Sequence, residues 1–306
     1  MNKLKKAVRN SINLRRSLGY KMREALPLLM DFVSFLNEHD ADHISIPLAL
    51  EWARQNPNAQ PAHWAQRLTN VRCFARYWSA TDPRTEIPPW NLLPHPPKRA
   101  HPHLYTNDEI RQLLQSARAL GGLRGQTYCC LFGLLAVTGL RISEAMNLRS
   151  DEVDLRQGIV LVTGAKFGKT RLVPLHPSTL KVLSSYARQR DRVFNRDLPR
   201  FFVSTQGCRM DGSKVRRTFY KLSRQIGLRG PQASYGPRLH DFRHRFAVET
   251  LLEWYRCGND VERRLPVLST YLDHVDVRDT YWYLTVCPEL MGLAVKRLER
   301  HWEVKS

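Results

Sequence analysis

No apolar run in the chain is long enough to cross a bilayer. The longest, Cys129 to Val137, falls far short of the roughly 20 residues that a spanning helix needs. The N-terminus also lacks the apolar segment of an export signal, so a cytoplasmic protein without membrane attachment is expected. None of the six cysteines (Cys73, Cys129, Cys130, Cys208, Cys257, Cys287) stands in a C-x-x-C pair, which argues against a zinc ribbon and a dithiol redox site. They read as reduced, mostly structural thiols. No acidic cluster of the kind that holds two magnesium ions in nucleases is present, and neither metal nor cofactor is expected. Internal repeats and low-complexity tracts are absent. So is any acidic residue among the first 23 positions.

What the chain has in excess is positive charge. Its 306 residues carry 48 Lys and Arg against 28 Asp and Glu, a formal net charge of +20. Such a charge repels itself unless a polyanion neutralises it, and double-stranded DNA is the expected partner. The N-terminal stretch concentrates part of it in Lys3, Lys5, Lys6, Arg9, Arg15, Arg16, Lys21 and Arg23. A basic transit peptide would look similar. Here the basic residues lead directly into a helical apolar pattern with no small-residue cleavage site, and DNA contact is the preferred reading.

A proline-rich stretch from Ile87 to Pro102 divides the chain. Proline removes backbone donors and disfavours helix before it, so an extended linker is expected over 87–103, between a domain at 1–86 and another at 104–306. In the first part Leu29, Phe32, Val33 and Leu36 share one helical face, and Trp64, Leu68, Val71, Ala75 and Trp78 share another. Arg67, Arg72 and Arg76 lie off that second face. They are candidates for gripping phosphates, against the plainer reading of a solvated surface. In the second part Thr106–Glu109 has the form of a capping box before Ile110, Leu113, Leu114 and Ala117. An apolar helix follows from about Thr127 to Val137 and stops at Gly139. Ile159–Val162 and Arg171–Leu175 flank a glycine-containing turn and predict a β-hairpin. From Lys214 the pattern is helical again. The fold class is therefore mainly α with a small antiparallel sheet: a helical N-terminal domain and a mixed α/β second domain.

Three groups of polar residues carry chemical potential. Arg141 follows the glycine stop at a helix start, where a guanidinium offers a bidentate clamp for phosphate. His240, Arg243 and His244 fall on one helical face. His-x-x-x-His is also zinc-ligand spacing, but Asp241 is one methylene shorter than the glutamate of a zinc protease, and Arg243 would repel the metal. A phosphate site and a plain structural helix remain as readings. His274 stands nine residues before Tyr283; taken singly, that tyrosine reads as a core residue with a satisfied hydroxyl.

Taken together, these boxes resemble the tyrosine recombinase (phage-integrase) family. Thr138-Gly-Leu-Arg-Ile-Ser-Glu144 is similar to the box of the family's first catalytic arginine, which falls on Arg141. Lys166-Phe-Gly-Lys-Thr-Arg-Leu-Val-Pro-Leu175 is similar to the hairpin of its catalytic lysine, which falls on Lys166, with Lys169 as a second lysine at the DNA. His240-Asp-Phe-Arg243-His244 resembles the His-x-x-Arg-His box, giving His240 and Arg243. Leu272-Asp-His274 stands where the family has Leu-Gly-His, giving His274, and the nine-residue step gives Tyr283 as nucleophile. The resemblance spans about 104–287 and implies a two-domain clamp on duplex DNA. It further implies strand exchange by four copies through a 3′-phosphotyrosine, within a mobile element that integrates, excises or transposes. A type IB topoisomerase-like enzyme and a non-catalytic DNA-binding protein on the same scaffold are the alternatives. Two departures stand out, Asp273 in place of glycine and a second tyrosine at Tyr281. The stripe Leu290, Leu293, Ala294 and Leu298 on the last helix is expected to work between subunits, with packing in cis as the alternative.

Overall fold

The computed structural model describes residues 2–93, 101–163, 170–285 and 287–303. It divides into two compact units, Met1–Arg99 and Ala100–Ser306. The first unit contains four helices among its described residues: α1 (Asn2–Ser17), α2 (Ala25–Glu38), α3 (Ile46–Arg54) and α4 (Pro61–Trp78). α1 buries Leu4, Ala7, Val8 and Ile12 on one stripe and leaves Lys3, Lys6, Arg9 and Arg16 exposed. Prolines near the starts of α3 and α4 occupy positions whose N–H has no intrahelical partner. The apolar face of α2 (Leu29, Phe32, Val33, Leu36) meets Trp52, Leu68, Val71, Phe74 and Ala75 in one core. Each large side chain buried there stabilises the unit by about 1.5–3 kcal/mol.

Two of the arginines expected at the surface are engaged within this unit, Arg72 buried and Arg67 half-buried, which corrects the expectation for both. The Arg67 guanidinium lies 3.8 Å from the Trp52 ring centroid and donates to the Trp52 carbonyl at 2.9 Å. Arg72 is 6% exposed and donates to the carbonyls of Pro88 and Pro89, both at 2.8 Å. Prolines interrupt the local backbone pairing, and the free carbonyls take a guanidinium instead. The start of the proline-rich stretch is thereby tied down: Leu92 and Leu93 pack on the same core. Arg76 is exposed as expected.

The second unit opens with α5 (Asn107–Arg118), capped as its sequence predicts by reciprocal bonds between Thr106 and Glu109. α6 (Gly122–Thr138) is buried on nearly every side and runs through the middle of the main core. It ends at Gly139, whose φ of +62° is left-handed and where a Cβ would meet the Phe246 ring at 2.7 Å. This glycine turns the chain directly into α7 (Ile142–Asn147). A three-stranded antiparallel sheet follows, ordered β1 (Val153–Asp154), β2 (Ile159–Val162), β3 (Arg171–Pro174). The predicted hairpin is its β2–β3 pair, with Val160 opposite Val173. Its turn, with Lys166 and Lys169, lies outside the described residues.

α8 (Pro177–Phe194) and α9 (Gly212–Gln225) complete the main core. α10 (Asp241–Arg256), α11 (Val261–Tyr271) and α12 (Arg278–Tyr281) form a second layer, continued by a 3-10 turn, Trp282–Thr285, and α13 (Pro288–Glu303). α13 rests on its own unit through Leu290, fully buried, and Leu293, with Glu289 paired to Arg256 and Arg297 to Asp260. Met291, Val295 and Leu298 form a separate exposed stripe. The predicted four-residue stripe is thus divided, with Leu298 facing water. Among the described residues no helix is long and apolar enough to cross a membrane.

Candidate active site

Arg141, His240, Arg243, His274 and Tyr283 come from four separate elements. Arg141 is the residue before α7, in extended conformation after the Gly139 turn. Its Nη1 donates to Glu144 Oε1 at 2.9 Å and to Asp273 Oδ2 at 2.6 Å, and its Nη2 donates to the Asp273 carbonyl at 2.8 Å. Glu144 in turn accepts from Arg171 Nη2 on β3 at 2.8 Å, which ties the sheet to the arginine. The two guanidinium groups hold the Glu144 carboxyl below the ordinary carboxylate range despite its burial.

Arg243, on the first turn of α10, is 2% exposed. Its Nη1 donates to the Gly139 carbonyl at 3.0 Å, and its Nη2 donates to the Leu272 carbonyl. Burial and the nearby charge of Arg141 lower its pKa to about 10, leaving it protonated at neutral pH. Both arginines are therefore seated on one turn, Leu272–Asp273, which also delivers His274. Asp273 adopts φ +54°, the conformation that glycine supplies freely. The substitution keeps the turn, and the aspartate side chain bonds Arg141.

Tyr283 is 2% exposed, whereas Tyr281 is 49% exposed. The switch from α12 to the 3-10 turn after Tyr281 sends the two rings to different environments. The Tyr283 ring stacks near His274 (5.9 Å between centroids, 29°) and lies edge-on to His244 at 5.5 Å. Burial raises the phenol pKa, while the charges of Arg243 and then Arg141 pull it back. His274 is fixed by a 2.7 Å bond from Nδ1 to Thr280 Oγ1. His240 is solvent-exposed at the start of α10, its ring 4.8 Å from that of His244. The protein mass around it and the charge of Arg243 hold its ring below the ordinary imidazole range. Among the described residues no cluster of three or more His, Cys, Asp or Glu side chains is placed to share a metal ion.

Glu144, Arg171, His244 and Asp273 were given no role from sequence. Glu144 carries a signal in its capping-box distance of three residues from Arg141, and His244 in its place within the His-x-x-Arg-His box. Lys3, Lys5, Lys6, Arg15 and Arg16 all lie on α1 in the first unit, with Lys5 and Arg15 half-buried.

His244 and His274 make a pH prediction. Burial is the first cause in both, and each pKa is lowered to about 4. The unfolded value is about 6.5, so between these two values the unfolded chain binds protons that the folded one refuses. Stability is full above about pH 6.5 and falls as pH drops toward 4. Melting followed by circular dichroism should show this decline, and His244→Gln should make it shallower, leaving the part due to His274. A melting temperature constant across the window would contradict burial of neutral imidazoles.

Comparison with known proteins agrees with this geometry. The phage integrase family matches residues 104–289. The chain is 51% identical to the putative integrase/recombinase y4rB of Sinorhizobium fredii over the full length of both. It is 28% identical to the tyrosine recombinase XerD of Caulobacter vibrioides, over 95% of this chain and 90% of the relative. A solved structure of the Tn1549 transposon integrase in complex with transposon right end DNA shares the fold with a TM-score of 0.66. That likeness is at 14% identity and covers 96% of this chain and 98% of the solved chain, a fragment of that integrase. By its sequence matches and its fold, the chain belongs to the phage integrase family.

Proposed function

We propose that this tyrosine recombinase cleaves and rejoins duplex DNA through a 3′-phosphotyrosine on Tyr283. The observation that supports this most is the buried Tyr283 phenol set between His274 and the Arg243 guanidinium. In the reaction, Tyr283 Oη attacks the phosphorus and passes its proton to a neighbouring neutral imidazole, the bond from phosphorus to the 5′ oxygen breaks, and that oxygen takes up a proton. Lys166 is the assigned donor for the last step. His240 and His274 border the phosphate, where a neutral imidazole accepts or donates a hydrogen bond. Arg141 and Arg243 neutralise the charge that develops on the phosphorane, a contribution of about 3–4 kcal/mol per well-placed donor. The cut bond's energy is kept in the phosphotyrosine, so rejoining by a 5′ hydroxyl needs no nucleotide.

The basic face of α1 together with Arg76 is assigned to the DNA backbone, and the exposed Met291, Val295 and Leu298 stripe to contact between the four copies of a synaptic complex. Resemblance to y4rB and to a transposon integrase supports a role in a mobile element. The test uses nicked duplexes made from the DNA that flanks the coding region. A denaturant-resistant protein–DNA adduct should form in EDTA at the same rate as in magnesium, with the modified peptide containing Tyr283. Adduct formation strictly dependent on magnesium would overturn the mechanism.

A further inference from the structure

We propose that Asp273 is an internal anion that holds Arg141 in the DNA-free protein and competes for it with the phosphodiester, acting as a built-in brake on cleavage. The inference rests on the assignment of Arg141 to the phosphate. Asp273 occupies a left-handed position, φ +54°, where an aspartate carries a backbone cost that glycine avoids. It is only 5% exposed, and its Oδ2 lies 2.6 Å from Arg141 Nη1.

Orientation of Arg141 does not depend on that carboxylate. Glu144 Oε1 accepts from the same Nη1 at 2.9 Å, and the backbone carbonyl of residue 273 accepts from Nη2 at 2.8 Å. Both contacts survive loss of the side-chain charge. Glu144 shares its charge between Arg141 and Arg171, so what the Asp273 carboxylate adds is a second negative charge on the guanidinium that must receive another anion. A phosphate arriving at Arg141 meets this like charge at a separation far below a Debye length, where salt screens the repulsion weakly. Arg243 carries no such load, because its partners are the neutral carbonyls of Gly139 and Leu272. The brake therefore acts on one arginine of the pair. It is released when a phosphate oxygen takes the place of Oδ2.

The test compares the full chain with Asp273→Asn, which keeps the shape and tolerates positive φ, and with Asp273→Gly, which suits the turn even better. With the nicked flanking duplexes, both variants should form the Tyr283 adduct faster, by about tenfold, as expected for removing a like charge a few ångströms from the phosphate. With inorganic phosphate as a separate probe, the thermal shift per millimolar phosphate should be larger in both variants than in the parent. Adduct rates equal to or below the parent's, with no gain in phosphate-induced stabilisation, overturn the proposal and make Asp273 an orienting residue instead. Failure of the parent itself to form any adduct counts against the recombinase mechanism, while the phosphate arm still decides the brake.

Discussion

Replacing Tyr283 by Phe is expected to abolish covalent attachment to DNA while the protein folds and binds its site as before. The substitution removes one oxygen from a buried ring, costing about 1 kcal/mol of stability, and leaves the packing against His244 and His274 in place. Without the phenol oxygen no covalent intermediate forms. Losing the nucleophile of a covalent catalyst lowers turnover by on the order of 10⁴ or more. Tyr281→Phe should retain attachment, because that side chain is 49% exposed at the end of α12, whereas Tyr283 lies beside the Arg243 charge. Gel analysis of denatured reactions, followed by peptide mapping of the adduct, reads both variants. An adduct that persisted in Tyr283→Phe and vanished in Tyr281→Phe would move the nucleophile by two residues and dissolve the argument from burial.

Arg243→Lys should be nearly as damaging and, unlike the tyrosine change, should also weaken the fold. The guanidinium bridges two carbonyls that are 133 residues apart, 139 and 272. A single ammonium cannot reach both with the same fork geometry, so one buried acceptor is left unpaired. The expected cost is about 1–3 kcal/mol for the lost acceptor, visible as a lower melting temperature. Adduct formation should fall by about 10²–10³, the loss typical of removing one donor from the transition-state charge. Arg243→Ala should lower the melting temperature further, because it leaves both carbonyls and a cavity behind. A lysine variant that melted and cleaved like the parent would show that the fork is not what seats the 272–273 turn.

The strongest of these expectations come from stretches that are legible in one dimension. Thr138 to Glu144, His240 to His244 and Leu272 to Tyr283 are each contiguous, so residue type and spacing are visible without a fold. The hairpin of β2 and β3 is visible for the same reason, two short apolar runs flanking a glycine-containing turn. α6 starts at Gly122, ahead of the Thr127 that its apolar pattern predicts, because Gly122 and Gly125 are poor helix formers and hide its first turn. Gly125 has a packing reason for being there: a Cβ would meet the Arg118 carbonyl of α5 at 2.5 Å. α8 shows only a short apolar face, Leu183, Tyr186 and Ala187, which continues into Arg190, whose charge breaks the apolar period.

By itself, then, the sequence determined which residues could handle a phosphodiester, their order, and the helical periods that carry most of them. Tertiary structure alone decided which cations are engaged and by what. Arg67 and Arg72 look like any other basic residues off an apolar stripe, yet one lies on Trp52 and the other holds the Pro88 and Pro89 carbonyls. Asp273 looks like a tolerated change at a turn, yet it places a carboxylate on an arginine 132 residues away. The reason is physical. Helical period and motif spacing record local backbone geometry, whereas the partner of a guanidinium is set by whichever carbonyl or carboxylate the folded chain brings within about 3 Å of it.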